Sequence, residues 1–533
     1  MIGGIDRLAR PAAAAVGVGL CLLVAPAGAA ARNSQVAPSG RTSIAVPDAA
    51  HRALLAQAAK AAIGQHAATA TPPAGLTSEN VEFLANLPEL VTAISIAFID
   101  DTAFVSTVHG VYSVDVSDPT NPTIIGALPH FIFENEHMTV DAVRKRLYIS
   151  RDPRGIAGTT ELPYGIVEII DVSNPRVMTL VNPVQLPVGH TSTCINNCDY
   201  IWTGGPAASS LQPADWAGRP IFGTDVRDPA HPVQCPHAID LGANDGKTDY
   251  AHSIDVDAAG VAWVSGRAHV RGFWTQGAHF NPVSGQVETA TACDPIPYAG
   301  GGTVLGADSD EVMHNAYRNL NGTVDGRSGD VVVATEERTV TDCTKSGRLA
   351  TYDIGGSHQG QGFINTATTH FRLTQLDSWT PENKAGSTGC DSAHWFTERA
   401  DQVIAISFYS QGTRFLDTSD PRHIRQVGYF NPTGTNSWAA YWHGAETVFI
   451  ADFGRGLDVV RLKSVVEGTA TTPPRAAAAP VSAAGSGLPG TSVAGPEAYA
   501  ILLVALLLWL VSPTLAARLF AAAGRARRKP PPS

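Results

Sequence analysis

Five histidines, His137, His190, His252, His314 and His394, each stand at the start of a stretch of strand-forming residues, and four carry an acid three positions earlier. The pairs are Glu134 with His137 (ENEH), Asp249 with His252 (DYAH), Glu311 with His314 (EVMH) and Asp391 with His394 (DSAH). Imidazoles converging on one point suit Zn, Cu or Fe, and a neighbouring carboxylate can orient each ring by accepting its second N–H. The rival reading is structural. A histidine that ties each innermost strand to the next turn would recur with the same period, and that role is the one expected of a repeated residue.

Other candidates offer less. No Gly-x-Ser-x-Gly elbow is present, so a serine hydrolase has no support. The run Ala299 to Gly302 lacks a following Lys-Ser/Thr and is no phosphate loop. Glu336 and Glu337 end the apolar run Val331 to Ala334; they could face a channel, but an acidic pair at a strand end is read as solvated. Trp438, Tyr441, Trp442 and His443 form an aromatic cluster that could stack on a ligand, and more simply fills a junction.

The elements that would position these histidines repeat. Gly110 to Pro122 reads GVYSVDVSDPTNP, and Gly165 to Pro175 echoes it as GIVEIIDVSNP. Pro220 to Pro232 (PIFGTDVRDPAHP) and Thr413 to Pro421 (TRFLDTSDP) are further copies, with weaker ones at Arg348 to Ile354 and Gly456 to Arg461. Alternating β-branched and aromatic residues run up to an Asp, and Ser-Asp-Pro then stops the strand, because Pro fixes φ and lacks a donor while Asp caps the turn. A further strand follows each stop, and a two-strand pattern such as His137 to Ser150 or His252 to Ser265 precedes it. Four short strands per repeat make a propeller blade.

Starting points near Ile94, His137, His190, His252, His314, His394 and Trp438 count seven blades. The last blade ends near Leu462 after three strands, and Val81 to Leu87 supplies the missing fourth, so an N-terminal strand closes the last blade. The expected fold is an all-β seven-bladed propeller over residues 79–463. In it the histidines gather at one end of a central channel.

These repeats resemble the LVIVD-repeat family, exported bacterial proteins whose units build β-propellers. The resemblance rests on the three best copies, Gly110 to Pro122, Gly165 to Pro175 and Thr413 to Pro421, and implies architecture rather than chemistry. Propellers of the carotenoid oxygenase and selenium-binding/methanethiol oxidase families hold a metal among channel histidines. The likeness to those is positional only.

The ends speak to location. Arg7 and Arg10 precede an apolar run closed by small residues, so residues 1–31 read as a secretory signal. Residues 32–78 read as a tether with a short helix, and 464–497 as an Ala/Pro/Gly/Ser linker. Residues 498–518 are apolar enough to cross a ~30 Å hydrocarbon core, and the basic tail 519–533 would lie in the cytoplasm. Leu488 to Ser492 is a degenerate cell-wall sorting motif, a second route to the same surface. Six cysteines remain outside the signal, and Cys194 with Cys198 could close a local disulfide.

With a net charge of −11, the body between the basic ends repels phosphate backbones, which excludes nucleic acid as a partner. The leading expectation is a membrane-anchored surface propeller that binds a protein or cell-envelope ligand. The alternative is a metal-dependent extracytoplasmic enzyme, oxidase-like, that uses the channel histidines. Whether the chain is an enzyme at all stays open at this point.

Overall fold

The computed structural model describes residues 56–57, 59–66, 72–129, 136–152, 165–186, 188–205, 221–239, 241, 251–266, 269–281, 284–298, 312–338, 343–355 and 373–463. The segments read as signal, linker, membrane helix and basic tail lie outside these residues. Among the described residues no helix is long and apolar enough to cross a membrane.

Seven antiparallel sheets follow one another along the chain, each a meander whose first strand is the innermost. Blade one spans Ala93–Pro129, blade two Thr139–Leu186, blade three Thr191–Gln234 and blade four Ala251–Pro297. Blade five spans Val312–Trp379, blade six Phe396–Pro432 and blade seven Ser437–Leu462. Strand Val81–Leu87 pairs with Gly456–Leu462 and becomes the outer strand of blade seven.

Alternation along each strand builds the core, because successive side chains face opposite sides of a sheet. In blade one, Ile96, Val105 and Val114 pack towards blade seven, whereas Ala97, Phe104 and Val111 pack towards blade two. The same division gives buried apolar clusters between blades two and three, three and four, and four and five. Others join blades five and six, and six and seven. Every blade therefore packs on two neighbours and the circuit closes, so this is a seven-bladed propeller.

The Asp-Pro repeat has a clear physical role. Asp115 Oδ1 accepts from the backbone N–H (3.1 Å) and hydroxyl (2.7 Å) of Ser117, and Asp171 does the same for Ser173 at 2.8 and 2.6 Å. The next Asp or Asn caps the second half of the turn: Asp118, Asn174, Asp228 and Asp420 accept from the N–H two residues on. The turn then docks on the preceding blade. Ser113 donates to the carbonyl of Pro175 at 2.6 Å, and Thr351 donates to that of Pro421 at 2.5 Å.

Three features depart from the sequence reading. Residues Gly75–Thr77, inside the stretch read as tether, add a fifth strand to the edge of blade six. Ahead of them Ala59 and Ala62 sit in the core shared by blades seven and one, and His66 bridges to Thr123. Blade four, where no Asp-Pro copy is recognisable, has its four strands and also an extra ribbon, Gly277–Asn281 with Gln286–Ala290.

Cys194–Cys198 closes the first hairpin of blade three, and Cys235–Cys293 ties blade three to the segment after the blade-four ribbon. Cys390 is disulfide-bonded as well.

Candidate functional site

The propeller brings one residue at or just before the innermost strand of each blade to a common end of the hub. Their phase is set by the turn that follows. Asp141, Asp257 and Asn319 each cap that turn through the N–H two residues on, at 3.0, 2.9 and 3.0 Å. The hub residue stands five positions earlier in each case: Glu136, His252 and His314. By the same count from the first hairpin, Ile94, His190, His394 and Trp438 occupy the place in blades one, three, six and seven.

In blades one, four, five and seven the pairing register slips at this residue: between Ala93 and Ser95, Ala251 and Ser253, Met313 and Ala316, and Ser437 and Ala439. Such bulges bend a strand and re-aim a side chain. Here the turned residues are the hub residues.

Four of the five predicted histidines are brought together, all buried, with Glu136 between them. His394 Nε2 lies 3.1 Å and His314 Nε2 3.4 Å from Glu136 Oε2, and His190 Nε2 lies 4.0 Å from Oε1. His190 and His252 meet Nε2 to Nε2 at 3.1 Å. The rings form an arc, with centroids 4.4 Å apart from His190 to His252, 4.3 Å from His252 to His314 and 4.0 Å from His314 to His394. On the less buried side, Glu337 Oε2 stands 4.0 Å from His252 Nε2, and Tyr409 donates to Glu337 Oε1 at 2.6 Å.

His137 does not join them. It lies one residue out of phase, and its Nδ1 meets the Thr193 hydroxyl at 3.0 Å while its ring packs on Trp395. Because Thr193 donates to the Ile254 carbonyl, it accepts from His137, which burial holds neutral with a pKa of about 4. This is the structural inter-blade tie that the sequence allowed for all five.

The expected carboxylate partners differ as well. Glu134, Asp249 and Glu311 lie outside the described residues. Asp391 holds the turn at Ser410, accepting from its hydroxyl at 2.7 Å and its N–H at 3.2 Å, and does not orient His394. Three residues of extended chain span about 10 Å, too far for such a pairing within one strand. His394 Nδ1 instead donates to the Trp438 carbonyl, and His190 Nδ1 meets Asp152 Oδ2 at 3.0 Å. Glu136, Asp152, Glu337 and Tyr409 are the site residues that the sequence reading missed or set aside.

The charged groups at the hub act on one another. Burial opposes ionisation of Glu136, but the imidazoles of His394 and His314 prevail and hold its carboxyl well below the usual range. Burial likewise disfavours the His394 cation, yet the Glu136 carboxylate raises its pKa above the ordinary value. His252 and His314 are lowered by burial and by neighbouring imidazoles, so both present neutral rings.

Glu136 Oε2, His394 Nε2 and both nitrogens of His314 make no hydrogen bond of good geometry among the described residues, although the first two lie only 3.1 Å apart. Buried polar atoms are rarely left so. Atoms that stand close together without pointing at one another are placed as the ligands of a shared cation would be. The triads Glu136–His314–His394, Glu136–His190–His252 and His252–His314–Glu337 each have their ligand atoms within 4.8 Å of one another. Imidazoles with a carboxylate are a donor set for Zn, Cu or Fe, so the residues present fit such an ion.

No family model matches the chain, and no curated protein matches it. Among solved structures it is similar to the periplasmic gluconolactonase PpgL of Pseudomonas aeruginosa, at 15% identity and a TM-score of 0.43, covering 66% of this chain and 86% of that one. Hydrazine synthase of Kuenenia stuttgartiensis gives 11% and 0.45, covering 71% of this chain and 97% of that one. The β-propeller domain of Cps50 (Swd1) from Myceliophteria thermophila gives 9% and 0.46, covering 72% and 100%. Likenesses this distant carry no information about chemistry.

Proposed function

We propose that this chain is an extracytoplasmic metalloprotein that binds a transition metal at the propeller hub and uses it as a metal-dependent oxidoreductase. The observation that carries the reading is the convergence of His190, His252, His314, His394 and Glu136 from equivalent positions of five consecutive blades. Folding does not require such a set. Blades one and seven fill the same position with Ile94 and Trp438, which pack with Val108, Tyr409 and Phe453. An apolar hub is thus within reach of this architecture, and a buried carboxylate among imidazoles needs a compensating cation, which a metal ion or the His394 imidazolium supplies.

A bound ion would supply Lewis acidity and, if Cu or Fe, electron exchange. Around it, Asp152 and the Trp438 carbonyl fix ring orientation. Glu337, whose side chain keeps 15% exposure, is the less buried of the two carboxylates in the triads. Export fits the disulfides Cys194–Cys198 and Cys235–Cys293, since such bonds persist in oxidising compartments. The signal at 1–31 and the anchor at 498–518 belong to this proposal, as does an LVIVD-type origin of the repeats.

Elemental analysis of protein made without chelators tests the reading. Stoichiometric transition metal that falls away in His314→Ala and in Glu136→Gln is the expected result. A metal-free wild type whose variants change only in melting temperature would overturn it, and would leave a surface platform for a protein or cell-envelope ligand.

A further inference from the structure

The ligand atoms of the hub fall into three overlapping triads, and two of these, Glu136–His314–His394 and Glu136–His190–His252, share only Glu136, from which different oxygens face different histidines. Oε2 faces His314 and His394, and Oε1 faces His190, whose Nε2 meets that of His252. We propose that the hub holds two metal ions bridged by Glu136, one with His314 and His394 and the other with His190 and His252. This inference rests on the metal-binding reading above.

Hydrogen placement supports it. The Trp438 carbonyl can only accept, so His394 carries a hydrogen on Nδ1, and its Nε2 stands 3.1 Å from Oε2 of Glu136. The Asp152 carboxyl oxygen, 3.0 Å from His190 Nδ1, likewise favours a hydrogen on that nitrogen, and His190 Nε2 stands 3.1 Å from that of His252. Two close contacts of 3.1 Å result, and each must hold a proton or a metal ion between its atoms.

Their lengths suit an ion. Ligands at about 2.0–2.1 Å from a tetrahedral metal lie roughly 3.3 Å from one another. The contacts at 3.1 and 3.4 Å match that edge, and the 4.0 Å separation between His190 and Oε1 closes with a small side-chain rotation. Among the described residues no triad contains both His190 and His394, so each of these histidines has its own set of ligand neighbours around Glu136. Paired ions sharing a carboxylate can clamp two oxygens of one substrate, a chemistry a lone ion does not offer.

The test is stoichiometry on the full chain, stripped of metal and titrated with Co(II), followed by absorbance and elemental analysis. Two equivalents in the wild type are expected, and His190→Ala and His394→Ala should each retain one. A wild type that saturates at one equivalent overturns the bridged pair while leaving the metalloprotein reading intact. A wild type that takes up none overturns both. Should either variant fail to fold, loading the wild type with Cu(II) decides the matter. The paramagnetic signal should collapse as the second equivalent enters through coupling across Glu136, and a signal that simply doubles would refute the bridge.

Discussion

At His190 a carboxylate decides which ring nitrogen carries the hydrogen. Asp152 accepts at Nδ1 and so leaves Nε2 facing the hub without a hydrogen of its own. An asparagine of the same shape can donate its amide N–H to that nitrogen instead, which moves the hydrogen to Nε2 and blocks the lone pair. Asp152→Asn is therefore expected to weaken metal binding about 10–100-fold while the fold survives; competition against a chromophoric chelator measures it. Unchanged affinity would remove His190 from the ligand set. The histidine series was legible in the sequence because a residue needed once per blade must recur with the blade. Glu136 was not, because aligning blades on histidine put His137 in its place. The turn-capping aspartates give the true phase, since Asp141 and Asp257 stand five residues beyond Glu136 and His252. Phase within a blade is set by the turn that follows and not by residue type, so composition alone could not separate His137 from its neighbour.

Between elements, the Asp-Pro turns act as clamps from one blade to the next. The outer strand of blade one must pass so close to the blade-two turn that a Cβ on Gly126 would lie 2.3 Å from the Pro175 carbonyl and 2.7 Å from the Ser113 hydroxyl. Gly126→Ala should therefore cost about 1–3 kcal/mol through overpacking. Ser113→Ala should cost about 1–2 kcal/mol by leaving the Pro175 carbonyl without its donor. Thr351→Val removes the matching bond to Pro421 at a distant interface, so its cost should add to that of Ser113→Ala. Denaturant midpoints of the single and double variants check this; a double variant no worse than either single one would mean these turns do not clamp. Such turns repeat Asp, a capped N–H two residues on and an Asp-Pro or Asn-Pro in fixed order, which is why most of the blades leave a mark in the sequence. The ribbon Gly277–Asn281 with Gln286–Ala290 and the Cys235–Cys293 bond had no comparable signature. Their partners are set by which loops meet in space, and residue spacing does not encode that.

Across the whole molecule, closure depends on a strand from one end of the described chain pairing with a strand from the other. Val81–Leu87 lies antiparallel to Gly456–Leu462 and buries Leu84, Ala85 and Leu87 in the cluster that joins blades seven and one. Without it Gly456–Leu462 becomes an open edge, and the interface that completes the circuit loses its outer wall. The segments just before it make smaller contacts: Gly75–Thr77 extends blade six, and Ala59 and Ala62 cover the junction. Removing residues before Ser78 should therefore lower the melting temperature by a few degrees and leave one cooperative transition with unchanged metal content. Removing residues through Leu87 should abolish that single transition and release the metal, because the hub exists only while all seven blades hold their angular places. Calorimetry and light scattering on the two truncated chains separate these outcomes. If the shorter chain melted as one unit and kept its metal, hub geometry would be set by blades two to six alone, and closure would serve solubility rather than the site.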